Sequence, residues 1–309
     1  MQRIKLGLLY TDLEDLVLPV EFGRRTEGWG FDSLWLTDFI LSPCYEPLIT
    51  LAAIAQHTSH IELGTAVIVV PYRRPLHLVK SIASLDALCE GRLILGVGLG
   101  GNAEEFAAME ADFRERGRRT DESLAVIRRL LTETGVSHAG GHHRFHAATV
   151  GPHAGRRRHV PLWNGPIWRE GFVDGVLRRT ALYCDGFIPT RVPVEGYRRA
   201  QVRIRDLAVA AKRDPGGIEW GVLLWFYLAD DQAQAMDGIN AEILRRTGHH
   251  APMVPGKGNA VGTAAGCAAA IRAYIDIGVT HFVLNPGSSP EAIPEQCERF
   301  ASEVLPRLR

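Results

Sequence analysis

The sequence predicts a (β/α)8 barrel, in which eight parallel strands close into a ring and a helix follows each strand. Short β-branched or apolar runs alternate with longer segments of helical period along the chain, a pattern typical of parallel sheets with helical crossovers. Eight such units are present. No glycine-rich nucleotide fingerprint follows the first run, which favours a closed barrel over an open doubly wound sheet.

Each predicted element follows from a local pattern. The predicted strands are 4–10, 33–38, 61–70, 93–98, 160–164, 186–190, 218–229 and 281–285. The predicted helices are 15–29, 47–59, 75–88, 118–134, 168–183, 194–213, 230–247 and 263–277. Barrels of roughly 250 residues or more fold as one unit. Residues 1–309 are therefore expected to form a single domain.

The interval between the fourth and fifth predicted strands is too long for a simple crossover. Besides its helix, the segment 102–159 contains VSHAGGHHRFHA, whose paired glycines Gly140 and Gly141 predict a hairpin, and then the aperiodic loop GPHAGRRRH. Long insertions in barrels commonly lie on or beside the catalytic face. The segment is therefore a candidate lid.

Charge and cysteine content exclude several classes of function. Lys plus Arg and Asp plus Glu both number 35, so no overall positive field attracts nucleic acid or anionic lipid. Every apolar stretch is far shorter than the ~20 residues of a membrane span, and the first residues do not resemble a signal peptide. The five widely spaced cysteines lack a CxxC pair, which predicts free buried thiols and a cytoplasmic protein.

Candidate functional residues are selected by their position just past the carboxyl ends of the strands, where barrel enzymes assemble their sites. They are Tyr10, Asp38, Phe39, 66–70, 99–102, Asn164, Gly165, 189–191, 225–227 and Asn285. None of the strand ends presents two carboxylates or a His-x-His pair. Hydrolytic chemistry based on paired carboxylates or a metal is therefore disfavoured.

Long stretches of the chain resemble a known family. The motifs GWGFDSLWLTD (28–38), EPLITLAAIAQHTSHIELGTAVIVVPYRRP (46–75) and LDALCEGRLILGVGLGG (85–101) are similar to consecutive motifs of the bacterial luciferase-like superfamily. EEF (104–106), RERGRRTDESLAVIRRLL (114–131), LRRTALYCDGFIPT (177–190) and GTAAGCAAAIRAYIDIGVTHFVL (262–284) continue the match in order and spacing. Together the motifs cover nearly the whole chain.

The resemblance implies an oxidoreductase that holds FMN or coenzyme F420 on the catalytic face and acts on a small organic substrate, commonly as a homodimer. With FMN, a separate flavin reductase would supply reduced cofactor for a monooxygenation. With F420, a hydride would pass directly between cofactor and substrate. The sequence leaves the choice between the two cofactors open.

The resemblance also implies particular site residues. A non-prolyl cis peptide between Ala66 and Val67 would support the back of the cofactor ring. Asp38 is the candidate catalytic residue. The residues expected to contact the cofactor are Asp38, Ala66, Val67, Gly98, Leu99, Gly100, Asn102, Asn164 and Gly165.

Three positions depart from the family pattern. Phe39 stands where several deazaflavin enzymes have a histidine, and Leu99 stands where light-emitting luciferases have a phosphate-binding arginine. Pro166 has no N–H to offer a phosphate at the start of the next helix. Arg191 or the loop 156–158 are alternative phosphate ligands. These departures keep open a cofactor-free accessory or binding barrel.

Several polar residues have a plainer interpretation. The histidines of the predicted hairpin (138, 142, 143 and 146) have no acidic residue between them, so a solvated hairpin is favoured over a metal site. Glu104 and Glu105 suit the first turn of a short helix, where carboxylates interact with the helix dipole, as well as they suit catalysis. Cys44 has no histidine nearby to activate it as a nucleophile.

Overall fold

A computed structural model describes residues 3–11, 17–152, 160–248, 253–254 and 256–309. The strands are β1 (Lys5–Tyr10), β2 (Ser33–Leu36), β3 (Glu62–Thr65), β4 (Ile68–Val69), β5 (Leu93–Gly98), β6 (Val136–Ala139), β7 (Arg144–Ala148), β8 (Leu162–Asn164), β9 (Gly186–Phe187), β10 (Glu219–Leu228), β11 (Asn259–Gly262) and β12 (His281–Pro286). The helices are α1 (Pro19–Gly28), α2 (Pro47–Ala55), α3 (Pro75–Leu88), α4 (Ala103–Ala108), α5 (Arg116–Thr132), α6 (Asp174–Tyr183), α7 (Val194–Ala210), α8 (Gln232–Thr247), α9 (Ala264–Ile275), α10 (Ile293–Glu303) and α11 (Leu305–Leu308).

The predicted barrel is confirmed. Parallel pairing runs through β1, β2, β3, β5, β8 and β9 to β10, and the ring closes through β10 with β12 and β12 with β1. Strand β4 continues the course of β3 and pairs with β5. All these pairings are parallel, so the carboxyl ends of the strands meet at one face of the ring.

Several predicted strands are shorter than expected, and two of these differences bear on the barrel mouth. The predicted strand 61–70 is interrupted at residues 66–67, which separate β3 from β4. The predicted strand 186–190 is regular only over β9, although Thr190 still forms bridges to Leu223 and Ile167. Both differences lie at the carboxyl ends of barrel strands. There the regular strand pairing stops before the predicted end of the strand.

Helix α6 begins later than the predicted start at residue 168. The backbone N–H of Thr190 donates to Pro166, and the N–H of Trp168 donates back to Thr190, so the chain after β8 stays extended. A helix N-terminus therefore does not follow Gly165 directly. This corrects the expectation that a helix starting at residue 168, after Gly165, could offer its N-terminus to a phosphate.

A second insertion, between β10 and β12, was not recognised in the sequence. The predicted helix 230–247 is α8, but α9 is the crossover helix that leads into β12. The unpredicted strand β11 pairs in parallel with the second half of β10, with Trp225 opposite Asn259. Helix α8 packs on these strands, because its Ile239 and Ile243 form one apolar cluster with Val261 of β11 and Trp225 of β10.

The chain ends in α10 and α11, which were not predicted. Phe300 of α10 stacks on Phe31 and meets Phe226 edge to face, with ring centroids 6.3 Å and 4.8 Å apart.

The prediction that helix α1 begins at residue 15 falls partly on residues 12–16, which lie outside the described residues. Helix α1 has Pro19 at its first position, where the missing N–H costs nothing.

The predicted hairpin is present as β6 and β7, but it lies alongside α5. The Glu122 carboxylate of α5 pairs with the His138 ring at 2.9 Å and accepts hydrogen bonds from the backbone N–H groups of His142 and His143. These contacts hold the hairpin tip against the helix ring. That the segment 102–159 acts as a lid stays a prediction.

The cysteines agree with the prediction of free thiols, since none of the five forms a disulfide bond and four are buried. Burial raises the pKa of both Cys184 and Cys267 to about 12, so neither is a thiolate near neutral pH. Within the described part of the chain, no helix has the length and apolar character required to cross a bilayer.

Candidate active site

The barrel interior is filled by side chains. Seven buried residues, six from strands of the ring and one just after β9, form one cluster: Leu9, Trp35, Ile94, Trp163, Ile188, Leu223 and Val283. The two tryptophans fit because the strands beside them carry glycine. A Cβ on Gly64 would lie 2.3 Å from the Trp35 ring, and one on Gly186 would lie 2.5 Å from Trp163. A ligand therefore has to bind above this floor, at the carboxyl ends of the strands.

Polar atoms without partners lie directly above the floor. Side chains two residues apart in a strand share a face, so Thr190 and Asn285 follow Ile188 and Val283 toward the mouth. Among the described residues, Thr190 Oγ1, Asn285 Oδ1 and Ser288 Oγ are buried without a hydrogen-bond partner. Leaving such a group unpaired costs about 1–3 kcal/mol. The arrangement fits a bound molecule that supplies hydrogen-bonding groups at this edge of the mouth.

A backbone bulge lies on the opposite side of the mouth, at the end of β3. The Ala66–Val67 peptide is cis, as the resemblance implied. The Val67 side chain lies over Gly98 and Gly165, because a Cβ built on either glycine would be 2.4 Å from a Val67 methyl group. These two glycines of neighbouring strands therefore make room for the bulge. The sequence placed both beside the cofactor and did not reveal their contact with Val67.

Asp38 anchors the segment that follows the bulge. Its exposed fraction is 4%, and one carboxylate oxygen accepts the backbone N–H of Val69 at 2.8 Å. Arg73 binds both oxygens, with Nη2 to Oδ1 at 2.8 Å. Arg73 was not identified from the sequence. The predicted catalytic role of Asp38 stays a prediction, while the geometry shows that the carboxylate holds the backbone beside the bulge.

The Glu105 carboxylate fixes the backbone of the loop after β2. Its exposed fraction is 4%. Oε1 accepts the backbone N–H groups of Ile40 and Leu41 at 3.0 and 3.3 Å, and Oε2 accepts the Tyr72 hydroxyl at 2.9 Å. Burial, and then the hydrogen bond to Glu105, raise the pKa of Tyr72 far above its usual range. The uncharged hydroxyl therefore remains a donor to the carboxylate.

The glycine-rich turn after β5 is shaped by packing. Gly100 has φ of 72°, and a Cβ there would lie 2.7 Å from Val69 and 2.9 Å from Phe106. Leu99 is half-buried beside it. Asn102 is exposed and caps α4, since its side-chain oxygen accepts the Glu104 N–H at 2.9 Å. Glu104 is also exposed.

Asn164 is directed at a helix. Its amide donates to the Val176 carbonyl at 3.2 Å and to the Thr180 hydroxyl at 2.9 Å, both on α6. These donors are thus committed within the protein. The structure brings residues 66–67, Asp38, Gly98 and Gly165 together, whereas Asn102 and Asn164 serve the neighbouring helices.

The remaining candidates are placed as follows. Arg191 is exposed next to Thr190 and has φ of 59°. The proposed phosphate ligands 156–158 lie outside the described residues. The Cys44 thiol donates to the Phe39 carbonyl at 3.3 Å. Within the ranges that the structure describes, no group of three or more His, Cys, Asp or Glu side chains is arranged to hold a metal ion.

A family model described as luciferase-like monooxygenase matches residues 11–281. The chain belongs to this family. The F420-dependent glucose-6-phosphate dehydrogenase of Amycolatopsis mediterranei is 27% identical to this family member over 319 residues, with 94% of each chain covered.

Solved structures share the fold of this luciferase-like family member. Monooxygenase RslO1 from Streptomyces bottropensis superposes with a TM-score of 0.81 at 23% identity, covering 99% of this chain and all of its own. The oxygenating constituent of 3,6-diketocamphane monooxygenase from Pseudomonas putida, solved with FMN, superposes with a TM-score of 0.78 at 14% identity, covering 100% and 99% of the two chains.

Proposed function

We propose that the protein is a flavin- or deazaflavin-dependent oxidoreductase that acts on a small organic substrate. The observation that carries this proposal is the construction of the barrel mouth. A braced bulge at residues 66–67 faces a rim with buried, unpartnered polar atoms at Thr190 and Asn285, above a floor of buried apolar side chains. Membership of the luciferase-like family supports the same activity.

The residues fit a planar redox heterocycle with polar edges. The backbone at 66–67 would support one ring face, and Thr190 and Asn285 would bind N–H and carbonyl groups at the ring edge. When bound, the cofactor supplies the hydride or electron chemistry that side chains lack. The chain itself orients the ring and excludes water, since the apolar floor lies below and α8 covers the ends of β10 and β12.

The choice between the cofactors is part of the proposal. The relative from Amycolatopsis mediterranei is named as F420-dependent, and a structural neighbour holds FMN. If FMN is the cofactor, we propose monooxygenation and a separate flavin reductase as a partner. A homodimer is also proposed, supported by Ile49 on α2 and Leu88 on α3, which are 74% and 53% exposed.

Cofactor binding is tested by melting the purified protein alone, with FMN and with F420, and by titrating each cofactor spectroscopically. Binding at a hundred times the dissociation constant stabilises the native state by about 2.7 kcal/mol. We expect one cofactor to raise the melting temperature. If neither cofactor changes the melting curve or its own spectrum, the proposal is wrong and a cofactor-free accessory barrel is favoured.

A charge placed in the bulge gives a more local test. Val67→Asp puts a carboxylate against the backbone of Gly98 and Gly165, where we expect cofactor affinity to fall at least tenfold. Val209→Asp is the matched control, because Val209 on α7 is 62% exposed. Equal affinity of the two variants would remove the bulge from the cofactor site.

A further inference from the structure

Five large apolar side chains are exposed around the ends of β1 and β2. The exposed fractions of Leu18, Phe39, Ile40, Leu41 and Tyr45 are 66%, 55%, 37%, 57% and 36%. We refer to these five residues as the apolar rim. Contiguous exposed apolar surface of this kind commonly marks a binding site in a soluble protein.

Contacts place the segments that carry the apolar rim next to each other. The rings of Tyr45 and Tyr10, the last residue of β1, are 6.4 Å apart. The Tyr10 hydroxyl donates to the carbonyl of Val17, next to Leu18. The Cys44 thiol, adjacent to Tyr45, donates to the Phe39 carbonyl. The segments before α1 and after β2 are therefore joined at the mouth.

Buried polar groups hold the rim in shape from below. Glu105 accepts the backbone N–H groups of Ile40 and Leu41, so their side chains are presented on a backbone that is fixed from the protein side. A buried carboxylate thus stabilises a loop whose side chains remain in solvent. Such pre-organisation lowers the entropy that a ligand must remove on binding.

The rim is continuous with the proposed cofactor site. Phe39 directly follows Asp38, whose carboxylate binds Val69 beside the bulge. Among the described residues, the charged groups next to the rim are bound to partners in the protein. Arg73 pairs with Asp38 and lies 3.6 Å from Glu46, and Glu105 is bound as described. The rim therefore combines apolar surface with charges that have partners in the protein.

We propose that the apolar rim binds an uncharged, apolar part of the substrate, such as a hydrocarbon chain or ring. This inference rests on the proposed function and specifies the substrate class for the same site. A sugar phosphate, the class of substrate in the name of the relative from Amycolatopsis mediterranei, carries charge and hydroxyl groups that the rim does not match. Desolvating such groups without partners opposes binding.

The test uses protein loaded with whichever cofactor binds, and the probes are straight-chain 1-alkanols from hexanol to decanol and glucose 6-phosphate. Dissociation constants are measured from the change in cofactor absorbance or from melting shifts. We expect affinity to increase about two- to fourfold with each added methylene, as burial of a CH₂ group predicts. Glucose 6-phosphate should bind more weakly than decanol.

Variants assign the chain-length effect to the rim. In the double variant Phe39→Ser/Leu41→Ser, the factor by which alkanol affinity increases with each methylene should fall toward one. The double variant Val202→Ser/Val209→Ser removes two side chains of α7 that are 52% and 62% exposed and should retain the full increase. Both pairs are at the surface, so both variants are expected to fold.

The outcomes separate the inference from the proposed function. If neither cofactor binds, the proposed function fails before any alkanol is added. If a cofactor binds but affinity does not depend on chain length, or glucose 6-phosphate binds more tightly than decanol, the inference alone is overturned. It is also overturned if the rim variant changes the oligomeric state in sedimentation and leaves alkanol binding intact, since the rim would then cover a second copy.

Discussion

Gly98→Ala tests whether the bulge is seated on glycine. A Cβ at this position would lie 2.4 Å from Val67 Cγ2 and 3.5 Å from Val67 Cβ. Gly98 has no positive φ, so the expected cost arises from crowding alone. Overpacking of this kind destabilises proteins by about 1–3 kcal/mol. We therefore expect the free energy of unfolding to fall by that amount and cofactor affinity to fall with it.

The origin of the effect is isolated by a double-mutant cycle. Val67→Ala removes the methyl group that the new Cβ would strike, so Gly98→Ala should cost less than about 0.5 kcal/mol in that background. Gly101→Ala is the control, since a Cβ there meets nothing within 4 Å. Chemical denaturation measures all the variants. If Gly98→Ala is as stable as the parent, or Val67→Ala gives no relief, the assigned contact is wrong.

Other predictions concern the buried carboxylates. Asp38→Asn should cost on the order of 3 kcal/mol, because Arg73 loses its bidentate ionic partner in a mostly buried site and keeps only Glu46 at 3.6 Å. Asp230→Asn, at a side chain that is 88% exposed, should cost little in the same denaturation assay. The pKa of Glu122 is lowered to about 2, against the opposing effect of burial, by hydrogen bonds from the hairpin. Its contribution to stability is therefore present above the unfolded-state pKa near 4.5 and is lost as the pH falls toward 2. Glu122→Gln should accelerate amide exchange at His142 and His143 at pH 7, with a smaller difference from the parent near pH 2; an equal difference at both values contradicts this role.

Local patterns in the sequence predicted most of the barrel. A strand such as β5 is a buried apolar run that ends in glycine, and α3 begins with a proline, so both were placed correctly from their own residues. Helix α8 was predicted as a helix, but the strand β11 on which it packs was not predicted. The spacing of apolar residues in α8 shows only that one face of the helix is apolar. Which strands that face packs on depends on how the strands are ordered around the barrel.

The candidate site was predicted less completely, because its contacts join distant segments. Asp38 and Arg73 are 35 residues apart, and the sequence carries no signal that pairs them. The contact of Val67 with Gly98 and Gly165 joins three strands of the ring. Glycines at the ends of neighbouring strands do signal close approach by another group, and this signal was interpreted as room for the cofactor.

Crystals of the protein soaked separately with FMN and with F420 test the central claim most directly. The account predicts difference density for a planar ring at the carboxyl face, with one side of the ring against residues 66–67 and its edge within hydrogen-bond distance of Thr190 or Asn285. Ring density elsewhere on the molecule, or none at the mouth for a cofactor shown to bind in solution, contradicts the account.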